Sequence, residues 1–209
     1  MLATVAPPEE RVLLHDISWE TYERLIAEAG EACGTRFAYD SGELEIMTVY
    51  KGHETPNRKL AAIAEITAEE TGCDFEPAGS TTFKRKDLAK GFEPDSCFYF
   101  RHAETVRGKE KIDLATDPPP ELIIEVDITR SSLDRFAIFA AMRVAEIWRY
   151  DGELVRFHTL VEGAYREIPK SLVLPPMTSA QATTFLERVR HDKAAVWLRS
   201  VREWVRARA

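Results

Sequence analysis

The stretch from residue 118 to 128 constrains the fold more than any other part of the chain. Prolines at 118–120 end whatever precedes them, and residues 122–128 then have the pattern of a strand that is apolar except at Glu125 and Asp127. Alternation puts these two carboxylates on one face, while apolar residues dominate both faces. A strand covered on both sides keeps carboxylates only if they are paired or bound to a cation. The alternative is an edge or solvent-side strand whose charges are simply exposed.

A second acidic position precedes this strand. Pro94 marks a strand entrance, and Asp95 opens a run rich in aromatic residues, as strands are. Together with Glu125 the pattern is Pro-Asp, a connecting segment, then Glu-x-Asp on an apolar strand. This pattern resembles the PD-(D/E)XK nuclease superfamily, in which such acids hold a divalent metal that activates water against a phosphodiester.

Further motifs extend the resemblance, in order, from about Val12 to the C-terminal helix. They are similar to the successive motifs of the Uma-type restriction endonuclease family: Gly42-Glu43-Leu44-Glu45-Ile46-Met47, His53-Glu54, Gly79-Ser80-Thr81-Thr82-Phe83-Lys84-Arg85, Glu93-Pro94-Asp95, Asp117-Pro118-Pro119-Pro120, Glu125-Val126-Asp127-Ile128-Thr129 and Glu146-Ile147-Trp148-Arg149-Tyr150-Asp151-Gly152. The resemblance implies an α/β (α+β) fold with a restriction-endonuclease-like core, in which helices flank a mixed, curved sheet.

The resemblance also implies a metal site. Asp95 and Glu125 would bind Mg²⁺ or Mn²⁺ directly, because oxygen ligands suit these hard cations. Glu54 matches an acidic residue on the first core helix and would bind directly or through water, with His53 beside it in a supporting position. The plain alternative is that His53 and Glu54 only cap the start of their helix. Asp127 would be a further ligand or would hold Arg135 on the following helix.

One departure from the superfamily pattern bears on activity. Two residues after the catalytic Glu the superfamily has Lys, and this chain has Asp127; in the Uma-type family the Lys lies on the following helix, where this chain has Arg135. Arginine keeps the positive charge but cannot lose a proton, so it could stabilise a phosphate and could not act as a base. A structural salt bridge from Arg135 to Asp127 or Glu125 is the competing interpretation.

Basic residues near the acids are candidate phosphate contacts. Lys84 and Arg85 precede Asp95, and Lys109 and Lys111 lie in a polar excursion before the prolines. Such charge runs are usually solvated faces. The net charge of −7 weighs against DNA binding, although a metal-dependent nuclease does gather acids at its centre.

Length and composition fit one domain. The chain has 209 residues, 44% hydrophobic and 30% charged, which predicts a flexible lead-in at 1–11 and a single restriction-endonuclease-like domain at 12–209, with 179–209 a helical pair. It shows neither an apolar run of bilayer length nor a secretory signal, so we expect a cytoplasmic protein. Cys33, Cys73 and Cys97 are far apart and indicate neither a disulfide framework nor a zinc site.

Local signals predict most of the elements. Ser18 caps a helix that ends at Gly30, and Pro56 fixes the start of a second helix near residue 55. Ser131 with Asp134 gives a capping-box-like start to the helix that carries Arg135. The remaining predictions are a hairpin about 40–42, a three-stranded meander over 146–168, and helices over 179–190 and 193–208. The tryptophans Trp197 and Trp204 of the last helix are expected to be docked on the domain or on a second subunit.

The leading hypothesis is a Mg²⁺- or Mn²⁺-dependent DNA endonuclease, with a homodimer as the default assembly. The alternative is a nuclease-derived binding or interaction module that keeps the fold and does not cut, which Arg135 and the acidic net charge favour. A third hypothesis makes Asp95, Glu125 and Asp127 a purely structural cluster neutralised by Arg135.

Overall fold

The computed structural model describes residues 10–30, 34–48, 51–128 and 133–209. The strands are β1 (Arg11–Leu14), β2 (Thr35–Asp40), β3 (Glu43–Thr48), β4 (Glu76–Pro77), β5 (Phe83–Arg85), β6 (Lys90–Phe92), β7 (Ser96–Tyr99), β8 (Leu122–Val126), β9 (Glu146–Tyr150), β10 (Val155–Val161) and β11 (Ala164–Ile168). The helices are α1 (Trp19–Ala29), α2 (Lys51–Thr71), α3 (Ala103–Val106), α4 (Arg135–Ala141), α5 (Ser179–Arg188) and α6 (Ala194–Arg206), and Lys86–Leu88 form a 3₁₀ turn.

The strands form two sheets. A five-stranded antiparallel sheet has the order β1-β3-β2-β6-β5, and a six-stranded sheet has the order β11-β10-β9-β8-β7-β4. In the second sheet β8 and β9 are parallel and the other neighbours antiparallel, so the sheet is mixed, as predicted. The predicted meander is confirmed as β9, β10 and β11.

Strand β8 is central and fully covered. All five of its residues are buried, and it lies between β7 and β9 in the six-stranded sheet. The solvent-side interpretation of this strand is therefore wrong. The strand ends at Val126, two residues earlier than predicted, and Asp127 continues the pairing only through its amide, which donates to the Tyr150 carbonyl at 2.8 Å.

The core lies in three layers. Between the sheets, side chains of both sheets pack with α4, including Phe92, Ile123 and Phe139. On the outer face of the six-stranded sheet α2, α5 and α6 pack in a second cluster, and on the outer face of the five-stranded sheet α1 packs in a third. Trp197 is buried and Trp204 partly buried in the second cluster, so the predicted docking of these tryptophans is confirmed.

Helix α1 begins and ends where the sequence predicts. The Ser18 side chain accepts a hydrogen bond from the Thr21 amide, and Gly30 ends the helix with a φ of 65°. For α4 the predicted cap Ser131 lies outside the described residues, as does Cys33, and Asp134 is the residue whose side chain accepts from the Ala137 amide.

Helix α2 begins a turn earlier than predicted. It starts at Lys51, so Pro56 lies inside the helix rather than in its first turn. Proline costs the amide hydrogen bond to the Gly52 carbonyl but leaves the rest of the turn intact. His53 and Asn57 on this turn are both buried, and this packing offsets the lost hydrogen bond.

The N-terminal boundary also differs from the expectation. Arg11, assigned to the lead-in, is the first residue of β1, while residues 1–9 lie outside the described residues. Within the described chain, no helix combines the length and the apolar character needed to cross a membrane.

Candidate active site

Asp95 and Glu125 point into the space between the two sheets. Strands β7 and β8 are antiparallel neighbours, and Cys97 pairs with Ile123, both of which belong to the core between the sheets. Asp95 and Glu125 are two residues from Cys97 and Ile123 respectively, so alternation gives them the same face. Each is only 4% exposed. Two carboxylates from adjacent strands therefore share one buried compartment.

The Asp95 carboxylate is held on one side only. Its Oδ2 accepts a hydrogen bond of 2.8 Å from the Val126 amide and lies 3.2 Å from Nε2 of His53 on α2. Its Oδ1 is buried and has no hydrogen-bond partner among the described residues. Asn57, one turn after His53, donates from Nδ2 to the Asp95 carbonyl at 3.2 Å and accepts from the Ser96 hydroxyl at 2.8 Å. The first turns of α2 thus fix Asp95 and leave one oxygen available.

Glu125 forms a two-point ion pair with Arg135. The distances are 3.0 Å from Nη1 to Oε2 and 3.3 Å from Nη2 to Oε1, and Nη2 also donates to the Glu93 carbonyl at 3.1 Å. Burial raises the pKa of Glu125 to about 8; Arg135 opposes this shift, while the charges of Asp95 and Asp127 add to it. Arg135 thus forms the salt bridge anticipated from the sequence, and its partner is Glu125.

Asp127 has two other arginine partners. Its Oδ1 lies 3.2 Å from Nη2 of Arg11 on β1, and its Oδ2 accepts from Nη2 of Arg149 on β9. Arg11 also donates to the Glu45 carboxylate at 3.0 Å, and Glu45 is only 1% exposed. Glu45, Asp95, Glu125 and Asp127 form what we call the acidic centre, with Arg11, Arg135 and Arg149 around it.

Three members of this arrangement were not found by sequence reasoning. Glu45 carries a signal that could have found it, since it is a carboxylate in the apolar run of β3, as Glu125 is in β8. Arg11 and Arg149 carry none, because arginine near a strand end is ordinarily exposed. Their positions follow only from the pairing of β1 with β3 and of β9 with β8.

Glu54 lies at the rim of this region. Its side chain is 40% exposed, and Oε1 is 3.7 Å from Nη1 of Arg58, one helical turn further on. One residue along a helix turns a side chain by about 100°. His53 is therefore the residue of this turn that contacts Asp95, and Glu54 faces Arg58.

The predicted phosphate contacts pair with acids elsewhere in the molecule. Lys84 contacts Glu23 on α1 at 2.7 Å, Arg85 pairs with Asp87, and Lys109 pairs with Asp117. Lys84, Arg85 and Lys111 line a cleft of about 1400 Å³ between α1 and residues 110–115. None of these three ion pairs includes a member of the acidic centre.

The donor set suits a hard cation held by few protein ligands. In the part of the chain that the structure describes, no three His, Cys, Asp or Glu side chains are grouped as a metal site. Mg²⁺, however, is commonly bound by one or two carboxylates with waters and substrate phosphates completing its shell. The partnerless Oδ1 of Asp95 beside the Glu125 carboxylate fits that mode of binding, provided that Glu125 is shared with Arg135.

Comparison with known proteins gives one family. A family model described as "Putative restriction endonuclease" matches residues 19–187, which include α1 to α4, all of α5 except its last residue, and every member of the acidic centre. A search of curated proteins found no match to the chain.

Proposed function

Because the chain belongs to the Uma2 family of restriction-endonuclease-like proteins, we propose that it is a Mg²⁺- or Mn²⁺-dependent DNA endonuclease. The observation that carries this proposal is the placement of Asp95 and Glu125. They are buried carboxylates on one face of adjacent strands, and Asp95 has an oxygen without a partner in the described structure. Burying that oxygen is unfavourable unless something binds it.

Asp95 and Glu125 would hold the cation. When bound, it supplies Lewis-acid polarisation of a phosphate and a more acidic water. His53 and the Val126 amide orient the Asp95 carboxylate, so that Oδ1 is the oxygen presented. Glu54, at the rim, is proposed to contribute through water.

Asp127 is proposed to act on charge rather than as a primary ligand. It pairs with Arg11 and with Arg149, the residue directly opposite Glu125, and the two guanidinium groups offset its negative charge. Arg135 would offset the negative charge that develops on the phosphate, because its guanidinium stays protonated. Lys84, Arg85, Lys109 and Lys111 remain proposed contacts to more distant phosphates.

A second candidate function is a module of this fold that binds without cutting. The observation that favours it is the two-point ion pair of Arg135 with Glu125, in which the guanidinium group balances the carboxylate without a metal ion. For either function we propose DNA as the partner, a homodimer as the default assembly and the cytoplasm as the location.

The test is metal-dependent cleavage of supercoiled plasmid by wild type, Asp95→Asn and Glu125→Gln, with Asp74→Asn as the control. Asp74 is an exposed carboxylate paired with Arg107, away from the acidic centre. Cleavage that needs Mn²⁺ or Mg²⁺, persists in Asp74→Asn and disappears in the other two variants supports the nuclease. Absence of cleavage, with Mn²⁺ binding that Asp95→Asn and Glu125→Gln abolish, supports the module that does not cut.

A further inference from the structure

Two arginines stand beside Glu125 in a row across the six-stranded sheet. Glu125 is directly opposite Arg149 in the parallel pair β8/β9, and Arg149 is directly opposite Arg156 in the antiparallel pair β9/β10. Residues opposite each other in a sheet point to the same face, and neighbouring strands are about 4.8 Å apart. Arg156 is thus about 10 Å from Glu125 in the plane of the sheet, which is about three nucleotide rises along one DNA strand.

These arginines stand at the boundary between the acidic centre and solvent. The side chains of Arg149 and Arg156 are 38% and 39% exposed, whereas Glu125 is 5% and Arg135 is 10% exposed. A ligand approaching Glu125 from solvent along this face meets the two guanidinium groups first. Arg135 is more deeply buried than these two arginines and is already paired with Glu125.

Each guanidinium group is held in place by a carboxylate. Asp127 pairs with Arg149 and Asp151 pairs with Arg156, in both cases through one terminal nitrogen. Guanidinium has five N–H donors, so each arginine keeps donors for a second acceptor. A side chain that is already ordered loses less entropy on binding than a free one.

The rings of Phe136 and His158 lie close to these arginines, and the imidazole reports their positive charge. The guanidinium carbon of Arg149 lies 5.8 Å from the ring centre of Phe136, the residue after Arg135, and His158 packs on the same ring at 5.0 Å. Burial lowers the pKa of His158; Glu167 opposes this, and the charges of Arg149 and Arg156 lower it further. Both arginines therefore act on the same imidazole, two residues from Arg156.

We propose that Arg149 and Arg156 bind backbone phosphates of the DNA strand and align it across β9 and β10 toward Glu125. This inference rests on the proposed nuclease function and adds the path of the substrate. Other basic side chains pair with acids of the outer helices: Lys84 and Lys86 with acids of α1, and Arg202 and Arg206 with acids of α2. Phosphate contacts give affinity without base preference, so the row acts on any sequence.

The test is the salt dependence of DNA binding, measured without divalent metal by fluorescence anisotropy of a labelled duplex of about 20 base pairs. Each phosphate contact contributes about one unit to the slope of log affinity against log salt concentration. We expect Arg149→Gln and Arg156→Gln each to reduce the slope by about one unit, and the double variant by about two. Arg166→Gln should leave it unchanged, because Arg166 on β11 alternates with Tyr165 and points to the opposite face.

A charge-neutral variant separates contact from net charge. Arg156→Gln with Asp151→Asn removes one positive and one negative charge together, so a lower slope in this variant means that the guanidinium itself contacts phosphate. Arg149→Gln with Asp127→Asn does the same for the first arginine. A wild-type slope in both double variants would mean that the single variants lowered the slope only by leaving a carboxylate unpaired. This result would overturn the inference. Should Arg149→Gln fail to fold by circular dichroism, the Arg156 pair still decides.

The outcomes also separate this inference from the proposed function. Wild type that binds and cuts DNA while the arginine variants keep its slope overturns the inference alone. The same holds if Lys84→Gln and Arg85→Gln reduce the slope and the arginine variants do not, since the phosphates would then follow the cleft beside α1. Wild type that binds no DNA in this assay overturns the inference, and wild type that also cuts no DNA with Mn²⁺ or Mg²⁺ overturns both proposals.

Discussion

At the scale of single residues, the Arg135 guanidinium determines how much of Glu125 is available to a cation. Both oxygens of Glu125 are engaged, at 3.0 and 3.3 Å, and neither residue is more than 10% exposed. A lysine would contact one oxygen as a point charge, leave the other free, and lose a proton more readily when buried. Arginine at this position therefore stabilises the ion pair and leaves neither Glu125 oxygen free for a metal ion.

We accordingly expect Arg135→Lys to raise the rate of Mn²⁺-dependent plasmid nicking by at least about tenfold. This factor is smaller than the rate enhancement that a general acid or base commonly contributes. Arg135→Gln, which removes the charge, should lower the rate and serves as the control. The measurement is the loss of supercoiled plasmid with time at one Mn²⁺ concentration. A rate in Arg135→Lys equal to or below that of wild type would contradict this role for Arg135.

The protonation of Glu125 predicts how metal binding varies with pH. Burial raises its pKa to about 8, so below that pH a proton must leave before a cation binds. We expect the Mn²⁺ dissociation constant to fall by up to about tenfold per pH unit between pH 6 and 8 and then to level off. In metal-free protein the folded state holds this proton more tightly than the unfolded state, so stability should fall as pH rises from about 4.5 toward 8.

Electron paramagnetic resonance of free Mn²⁺ measures the first effect, and urea unfolding measures the second. Glu125→Gln, which cannot titrate, is the control for the second effect and should show a smaller loss of stability over this pH range than wild type. A Mn²⁺ affinity in wild type that does not change between pH 6 and 8 would mean that Glu125 is ionised in the folded protein or is not a ligand.

Sequence reasoning at this scale identified side chains whose burial is unusual and not the partners that make the burial possible. Asp95 and Glu125 could be predicted because carboxylates in apolar strands are rare. Arg11 and Arg149 could not, because each meets Asp127 only through strand pairing between distant parts of the chain. A long-range ion pair leaves no local pattern.

At the scale of elements, one face of α2 both positions Asp95 and packs into the core. His53 and Asn57 hold Asp95, while Leu60 and Ala64, on the same stripe, pack into the core of the outer helical layer. The spacing of these four residues in the sequence is that of one helical stripe, and all four are buried. The sequence did not predict the start of the helix, because the preference of proline for the first helical turn is local, whereas His53 in the added turn contacts Asp95, which is distant in the sequence.

The Asn57 side chain should therefore affect both stability and metal binding. Asn57→Ala leaves the Asp95 carbonyl without its 3.2 Å donor and the Ser96 hydroxyl without its acceptor, at a cost of roughly 1–3 kcal/mol of unfolding free energy. Mn²⁺ affinity should fall as well, because the backbone of Asp95 loses an anchor. Urea unfolding and Mn²⁺ titration measure the two effects.

Ser96→Ala is the matched control, since it removes one of these hydrogen bonds and keeps the Asn57 contact to Asp95. We expect Ser96→Ala to lower the free energy of unfolding less than Asn57→Ala does and to leave the Mn²⁺ affinity unchanged. Equal losses of Mn²⁺ affinity in the two variants would contradict a positioning role for Asn57.

At the scale of the whole molecule, the meander and the terminal helices could be predicted from local periodicity and turn signals, and the mixed sheet from the resemblance to the nuclease superfamily. The division into two sheets could not, since β5 and β6 are only three residues each and the pairing of β6 with β2 joins distant parts of the chain. The acidic centre lies where the two sheets face each other. The acidic centre therefore forms only when the two sheets pack against each other, and no single stretch of the sequence predicts that packing.

Arg11 connects the two sheets at that point. From β1 of the five-stranded sheet it contacts Glu45 in its own sheet at 3.0 Å and Asp127, at the end of β8, at 3.2 Å, with its side chain 9% exposed. Removing one partner of a buried ion pair leaves uncompensated charge and typically costs about 3–5 kcal/mol. We expect Arg11→Leu to lower the unfolding free energy by this order.

Two further variants identify the cause of that loss. Arg24→Leu removes an exposed arginine paired with Glu28 at 3.8 Å and should change the free energy of unfolding little, because exposed pairs contribute little. Arg11→Leu with Glu45→Leu removes a buried charge of each sign and should recover part of the stability, because hydrophobic replacement of a buried pair is often neutral. If Arg11→Leu costs no more than Arg24→Leu in urea unfolding, Arg11 does not hold the sheets together at the acidic centre, and the carboxylates of Glu45 and Asp127 must be stabilised by other contacts.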